Sequence, residues 1–175
     1  LVLNQTKVFP ARIYGKKSTG GKVEVLLTKQ IKLGIWEAIS KPRLKIGQKV
    51  DFGKNLKAKI IKENKEEGYS QLQFNAYKKD FIKKINQIGI TPIPPYIQSS
   101  AKESEIRKQY QTTFARTIGS SAAPTAGLHF TQSILNKLKE QGIQAEFITL
   151  HVGPGTFQNL RAENIKTKTL HHEEY

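Results

Sequence analysis

Thr91-Pro92-Ile93-Pro94-Pro95-Tyr96 is the feature that most restricts the fold of this chain. Each proline fixes φ and removes a backbone donor, so the segment can be neither helix nor central strand. It reads as a rigid extended linker, and the patterns on its two sides differ. A domain boundary is therefore expected there.

Before the break the chain reads as short strands. Leu1 to Val8 begins as an apolar strand, and Pro10 interrupts its pairing. Val23, Val25 and Leu27 then alternate with outward positions. Trp36 to Ile39, Val50 to Phe52, Leu56 to Ile61 and Leu72 to Phe74 are further short runs. Gly20-Gly21, Gly34, Gly47, Gly53-Lys54-Asn55 and Asn64 to Gly68 punctuate them. This spacing predicts a small antiparallel barrel or sandwich. Phe81, Ile82, Ile85 and Ile88 recur at helical spacing, with Gly89 placed for a left-handed C-terminal cap.

After the break, Lys102 to Tyr110 is polar and weakly helical. A second helix is predicted from an N-cap at Thr131, with Ile134, Leu135 and Leu138 as its buried face and Gly142 as its stop. Ile143 to Val152 then reads as a buried strand, ended by Gly153-Pro154-Gly155. Helix, short turn and buried strand is the rhythm of an α/β layer.

The net charge is +15, from 29 Lys and Arg against 14 Asp and Glu. A positive field of that size suits a polyanion. The basic residues are mostly lysines spread along the chain, so charge alone leaves a nucleic-acid partner and a solvated surface equally open. Cysteine is absent, which excludes disulfides and thiolate metal sites. No apolar run approaches the roughly 18 residues of a membrane span, and the start lacks a secretory pattern. A soluble cytoplasmic protein is expected. Methionine is absent even at position 1, so the sequence is expected to be an internal portion of a longer protein.

All four histidines fall in the C-terminal part: His129, His151, His171 and His172. Imidazole titrates nearest neutral pH and can serve as acid or base. His129 lies in Ser121-Ala122-Ala123-Pro124-Thr125-Ala126-Gly127-Leu128-His129-Phe130-Thr131. Small residues permit close backbone approach to a ligand, and a helix start can hold an anion. The same run equally fits a tight loop packed on a helix. His151 lies in Leu150-His151-Val152-Gly153-Pro154-Gly155-Thr156-Phe157, where ligands of α/β folds bind beyond strand ends. Neither a P-loop nor a dinucleotide fingerprint is present. His171-His172-Glu173-Glu174 has the wrong spacing for a helical metal pair and no third ligand, so no metal is expected.

These motifs resemble, in order and over essentially the whole chain, the S-adenosylmethionine:tRNA ribosyltransferase-isomerase family of queuosine synthesis. The resemblance rests on Asn4-Gln5-Thr6-Lys7-Val8-Phe9-Pro10-Ala11-Arg12, Thr19-Gly20-Gly21 with Val23 to Leu27, and Lys41-Pro42. It continues through Gly89 with Pro92 to Ile97, Tyr110-Gln111-Thr112, Ala122 to Phe130 and Leu150 to Phe157. Gln5 stands where the family usually has Asp or Asn, and Lys168-Thr169-Leu170-His171 where it has His-x-Met-His. The match corresponds to about half of such an enzyme.

The resemblance implies a mixed α/β core (α+β overall) with an inserted small antiparallel β-barrel domain. Residues 1–10 would start the core, 11–90 form the barrel with a terminal helix, and 91–175 carry the site. It implies transfer and isomerisation of the ribosyl group of S-adenosylmethionine onto 7-aminomethyl-7-deazaguanine at the anticodon wobble position, giving epoxyqueuosine, adenine and methionine. His129, His151 and Thr125 are the expected catalytic residues. Gly127, Phe130, Thr131, Gly153, Gly155, Thr156, Phe157, His171 and Glu173 are expected to bind substrate. Lys7, Arg12 and Arg43 are expected to meet the tRNA anticodon stem-loop. S-adenosylmethionine would be a co-substrate, and the protein a monomer without a membrane partner. The competing reading is a non-enzymatic, basic, barrel-type RNA-binding module.

Overall fold

A computed structural model describes residues 1–65, 68–94, 96, 97, 99–153, 155 and 162–168. The chain divides into two compact units: Phe9–Pro92 forms one, and Leu1–Val8 with the residues from Ile93 onward forms the other. The first unit is thus inserted within the second. Overall the fold is mixed α+β.

The inserted unit is a closed antiparallel barrel. Its strands are β3 (Arg12–Lys17), β4 (Lys22–Lys32), β5 (Ile35–Lys41), β6 (Lys49–Asp51), β7 (Lys57–Asn64) and β8 (Tyr69–Phe74), in the order β3-β4-β5-β8-β7-β6. Alternation builds it: Ile13, Val23, Val25, Val50, Ile60 and Leu72 are buried between more exposed neighbours. Gly20, Gly34, Gly47, Gly53 and Gly68 take positive φ at the turns, which their missing Cβ permits.

Helix α1 (Lys78–Ile88) seats one face against the barrel through Phe81 and Ile85. Phe81 stacks on Trp36 at 5.2 Å between ring centroids and meets Phe74 edge-on at 5.0 Å. Gly89 is not the left-handed cap that its position suggested. Its φ is −80° and ψ 152°, which is extended backbone. Close approach explains the glycine instead, because a Cβ there would lie 2.1 Å from the Pro10 carbonyl oxygen.

In the other unit, β1 (Val2–Asn4) pairs in parallel with β10 (Glu146–Ile148), and β2 (Thr6–Val8) with β9 (Thr117–Ser120). The remaining helices are α2 (Glu103–Gln109), α3 (Gln132–Glu140) and α4 (Ala162–Thr167). No helix among the described residues is long and apolar enough to cross a membrane. Two expectations fail here. The strand predicted over Ile143–Val152 is only three residues, Glu146–Ile148, all exposed. The face Ile134, Leu135 and Leu138 carries no fully buried residue, and Ile134 is 42% exposed. The apolar spacing is present, but described residues cover Leu135 and Leu138 only in part.

The start and stop of α3 do follow their local signals. Thr131 Oγ1 accepts the Ile134 N–H at 3.3 Å, and Gly142 takes a φ of 77°. Thr131→Ala should destabilise this unit by about 1 kcal/mol, readable by thermal unfolding.

Candidate functional site

Two adjacent strands of one segment, β1 and β2, organise the neighbourhood of His151. Asn4 at the end of β1 makes three hydrogen bonds through one side chain. Its Nδ2 donates to the Leu150 carbonyl at 2.8 Å, and its Oδ1 accepts the backbone N–H groups of Leu150 and Thr6, each at 3.1 Å. The chain entering His151 is thereby tied to the chain entering Thr6. Gln5 adds to this tie, its backbone N–H donating to the Ile148 carbonyl at 2.9 Å and its Nε2 to Thr149 Oγ1 at 3.2 Å.

His151 is half-buried, and its ring is held on two sides. Nδ1 lies 2.8 Å from Oγ1 of the buried Thr6. Across the ring sits Gly119 in β9, so close that a Cβ there would fall 2.4 Å from both Cε1 and Nε2. With Nδ1 engaged, Nε2 is the nitrogen left for chemistry. The hydroxyl sets two arrangements. Where Thr6 donates to Nδ1, Nε2 carries the proton and can act as an acid. Where Nδ1–H donates to Thr6, Nε2 presents its lone pair and can act as a base.

The two glycine-containing segments meet beside this ring. Val152 donates its N–H to Ser120 Oγ at 2.7 Å, and its carbonyl accepts the N–H groups of Ser121 at 3.1 Å and Ala122 at 3.2 Å. Ser120, Ser121, Ala122 and Ala123 are all buried. A larger residue at Ala122, which has no exposed surface, would have to displace its neighbours.

Beyond this junction the chain makes a 3-10 turn over Thr125–His129. Thr125 and His129 are exposed, and neither makes a side-chain hydrogen bond among the described residues. No described contact joins His129 to His151. Gly127 is required by packing, since a Cβ would fall 2.8 Å from Thr112 Cγ2 and 3.2 Å from Phe114 Cζ. Phe130 is half-buried and its carbonyl accepts from Thr113 Oγ1 at 2.9 Å. Gly153 and Gly155 flank the His151 end of the second segment and are half-buried. Thr156, Phe157, His171 and Glu173 lie outside the described residues.

Tyr110 and Thr112 supply two enclosed hydroxyls near the same segment. Tyr110 packs with Val8 and Ala123, and burial pushes its phenol up, so it stays protonated through neutral pH. The Ala123 backbone pulls the other way electrostatically but stands outside hydrogen-bond geometry, and Tyr96 pushes up. Neither the Tyr110 hydroxyl nor Thr112 Oγ1 has a hydrogen-bond partner among the described residues. Between them, Gln111 clamps β2 by accepting the Val8 N–H at 3.0 Å and donating to its carbonyl at 2.7 Å.

The three cations expected to meet RNA are differently placed. Arg12 Nε lies 3.6 Å from Glu24, and Arg43 Nη2 donates to the Lys65 carbonyl at 3.0 Å. Lys7 is exposed on β2. Sequence reasoning assigned no role to Thr6, Gly119 or Ser120. Thr6 and Ser120 carry short hydroxyls inside strands, and Gly119 looks like an ordinary loop glycine, so only the folded chain reveals what they touch.

The family described as "Queuosine biosynthesis protein" matches residues 1–175. The chain is 48% identical over 176 aligned residues to the S-adenosylmethionine:tRNA ribosyltransferase-isomerase of Halothermothrix orenii, covering 99% of this chain and 50% of that protein. It therefore spans about half the length of that curated relative. A crystal structure of S-adenosylmethionine tRNA ribosyltransferase from Thermotoga maritima aligns with a TM-score of 0.40 and 26% identity, over 86% of this chain and 40% of that one.

Proposed function

Since the chain belongs to the queuosine biosynthesis protein family, we propose that it serves a tRNA-modifying enzyme that transfers and isomerises the ribosyl group of S-adenosylmethionine. The acceptor is the aminomethyl group of 7-aminomethyl-7-deazaguanine at the anticodon wobble position. The products are epoxyqueuosine in tRNA, adenine and methionine. The observation that carries this reading is 48% identity across 99% of the chain to a relative bearing that enzyme name. The enzyme acts in the cytoplasm as a monomer, with S-adenosylmethionine consumed as a substrate.

The chemistry needs a base and an acid. The sulfonium of S-adenosylmethionine acidifies the neighbouring ribose carbon, whose proton must be taken, and the departing adenine needs a proton or hydrogen bond. His151 suits either task through Nε2, because Thr6 holds Nδ1 and Gly119 fixes the ring plane. His129 is the second imidazole. Its exposure and lack of described partners fit a group that acquires its alignment from bound substrate. Thr125 remains the hydroxyl candidate for the adenine. The start of α3 after Thr131 offers backbone N–H groups to the methionine carboxylate, and Gly153 and Gly155 allow close backbone approach beside His151.

The alternative, a non-enzymatic RNA-binding barrel, accounts for the charge but not for the arrangement around His151. Three aromatics that could stack on bases, Trp36, Phe52 and Phe74, are buried in the barrel core, which leaves Tyr14 and Tyr77 as its largely exposed rings among the described residues. Adenine release by the full-length protein, given labelled S-adenosylmethionine and precursor-bearing tRNA, tests the enzyme directly. His151→Ala should lower that release by about 10²-fold or more. A protein that binds tRNA without ever releasing adenine would favour the alternative.

A further inference from the structure

The positive charge is not evenly shared between the two units. Phe9–Pro92 holds 19 of the 29 Lys and Arg but only 7 of the 14 Asp and Glu. This unit alone therefore carries +12 of the net +15.

The barrel ladders then set like charges against one another. Lys49 lies directly opposite Lys59, and Lys16 directly opposite Lys22. Opposed like charges on neighbouring strands destabilise a sheet, and an acid at one member of each pair would remove the penalty. Lys49 and Lys59 are on the outer face, since Val50 and Ala58 beside them point into the core, and Lys16 and Lys22 are exposed beside the buried Val23. A groove of about 610 Å³ runs across β3, β6, β7 and β8, with Lys16, Lys17, Lys49, Lys57 and Lys59 along its walls.

One acid, Asp51, lies in the groove, and it is already engaged. Its Oδ1 accepts the Gly53 N–H at 2.8 Å and its Oδ2 lies 3.5 Å from Lys57. Those contacts hold its carboxyl below the usual range, the Gly53 N–H contributing most. No ion pair forms at Lys16, Lys17, Lys49 or Lys59 among the described residues. Lys16, Lys49 and Lys59 thus stand on one outer face with a single carboxylate among them, Asp51, which lies directly opposite Lys16 and is already held by Gly53 and Lys57. Strand rows about 4.8 Å apart let such groups reach neighbouring phosphates of a single backbone.

We propose that this groove grips the phosphodiester backbone of the RNA substrate, a contact that rests on the tRNA-modifying reading above. The groove supplies affinity and register and reads no base, because its one aromatic, Phe74, is buried in the core. The partner is an RNA backbone rather than an acidic protein, since the lysine rows are regularly spaced and the apolar residues of the groove, Val50, Ala58 and Phe74, are buried instead of standing out as an anchor.

The test uses the full-length protein with all three of Lys16→Gln, Lys49→Gln and Lys59→Gln. Binding to precursor tRNA is measured across a salt series, with KM for tRNA, kcat and Tm. The slope of log affinity against log salt should become shallower by about 2 to 3, and KM should rise about 10-fold or more while kcat stays near the parent value. The Tm should hold or rise, because an opposed lysine pair has been relieved. The pair Lys49→Arg and Lys59→Arg should bind like the parent. A triple variant that binds within twofold of a salt-sensitive parent overturns the groove and leaves the enzyme reading standing. Loss of binding in the arginine pair would show that side-chain shape matters rather than charge, and would also overturn it. A parent that prefers poly-glutamate to tRNA assigns the face to an acidic protein. A parent that neither binds tRNA nor releases adenine overturns the enzyme reading itself.

Discussion

Gly119→Ala in the full-length protein is expected to lower adenine release by about 10²-fold or more with little loss of thermal stability. Gly119 does not have a left-handed φ, so alanine meets no backbone strain there. The obstacle is the imidazole of His151, with Cε1 and Nε2 each 2.4 Å from the new methyl group and Cδ2 at 2.8 Å. No carbon approaches a ring that closely, so the ring must move. Its other side is held by Thr6 Oγ1, 2.8 Å from Nδ1, and moving costs that hydrogen bond. A base misplaced by an ångström loses much of its advantage, because proton transfer depends on donor and acceptor sharing one line. Thr6→Val is the companion variant. It keeps the volume of the buried side chain but removes the hydroxyl, so it should alter the pH profile of kcat rather than abolish turnover. Near-normal turnover in Gly119→Ala, with the parent Tm, would remove His151 from the reaction.

The sequence foreshadows the barrel better than it does the site, and particular residues show why. Val23, Val25 and Leu27 signal one buried face within a single strand, and Gly20, Gly34, Gly47 and Gly53 signal turns within a few residues. These are local patterns, and local patterns survive in one dimension. His151 is different. Its partner Thr6 is 145 residues away and its packing neighbour Gly119 is 32 positions earlier. Strand β9 escapes notice for a related reason: Thr117 and Ile118 are both exposed, so its four residues show no alternation. The α3 face shows the opposite failure. Ile134, Leu135 and Leu138 have helical spacing, yet spacing states only that a face is apolar and not what covers it.

Gly89 offers the sharpest separation between a local and a long-range explanation. A glycine just after a helix ordinarily suggests a left-handed cap, where asparagine is the next best residue and alanine costs about 1 kcal/mol. Here the backbone is extended, and the hydrogen atom of Gly89 faces two backbone oxygens instead. A Cβ would lie 2.1 Å from the Pro10 carbonyl oxygen and 2.7 Å from that of Ile85. Neither oxygen can swing aside as a side-chain tip does. The Ile85 carbonyl accepts the Gly89 N–H at 2.7 Å, and the next residue, Ile90, exchanges two hydrogen bonds with Arg12 at 2.8 and 3.2 Å. Relief would require the end of α1 to part from the start of β3. Gly89→Ala is therefore expected to destabilise the barrel unit by about 3 kcal/mol or more, a fall of roughly 12–24 °C in Tm for a unit of this size. Gly21→Ala is the matched control. Its nearest neighbour is Lys17 Cδ at 3.9 Å, so it should stay within about 0.5 kcal/mol of the parent. Gly89→Asn decides between the two explanations. A capping role predicts that asparagine rescues most of the loss, whereas close approach predicts that it melts at or below the alanine variant, because the larger side chain carries the same Cβ into the same carbonyl.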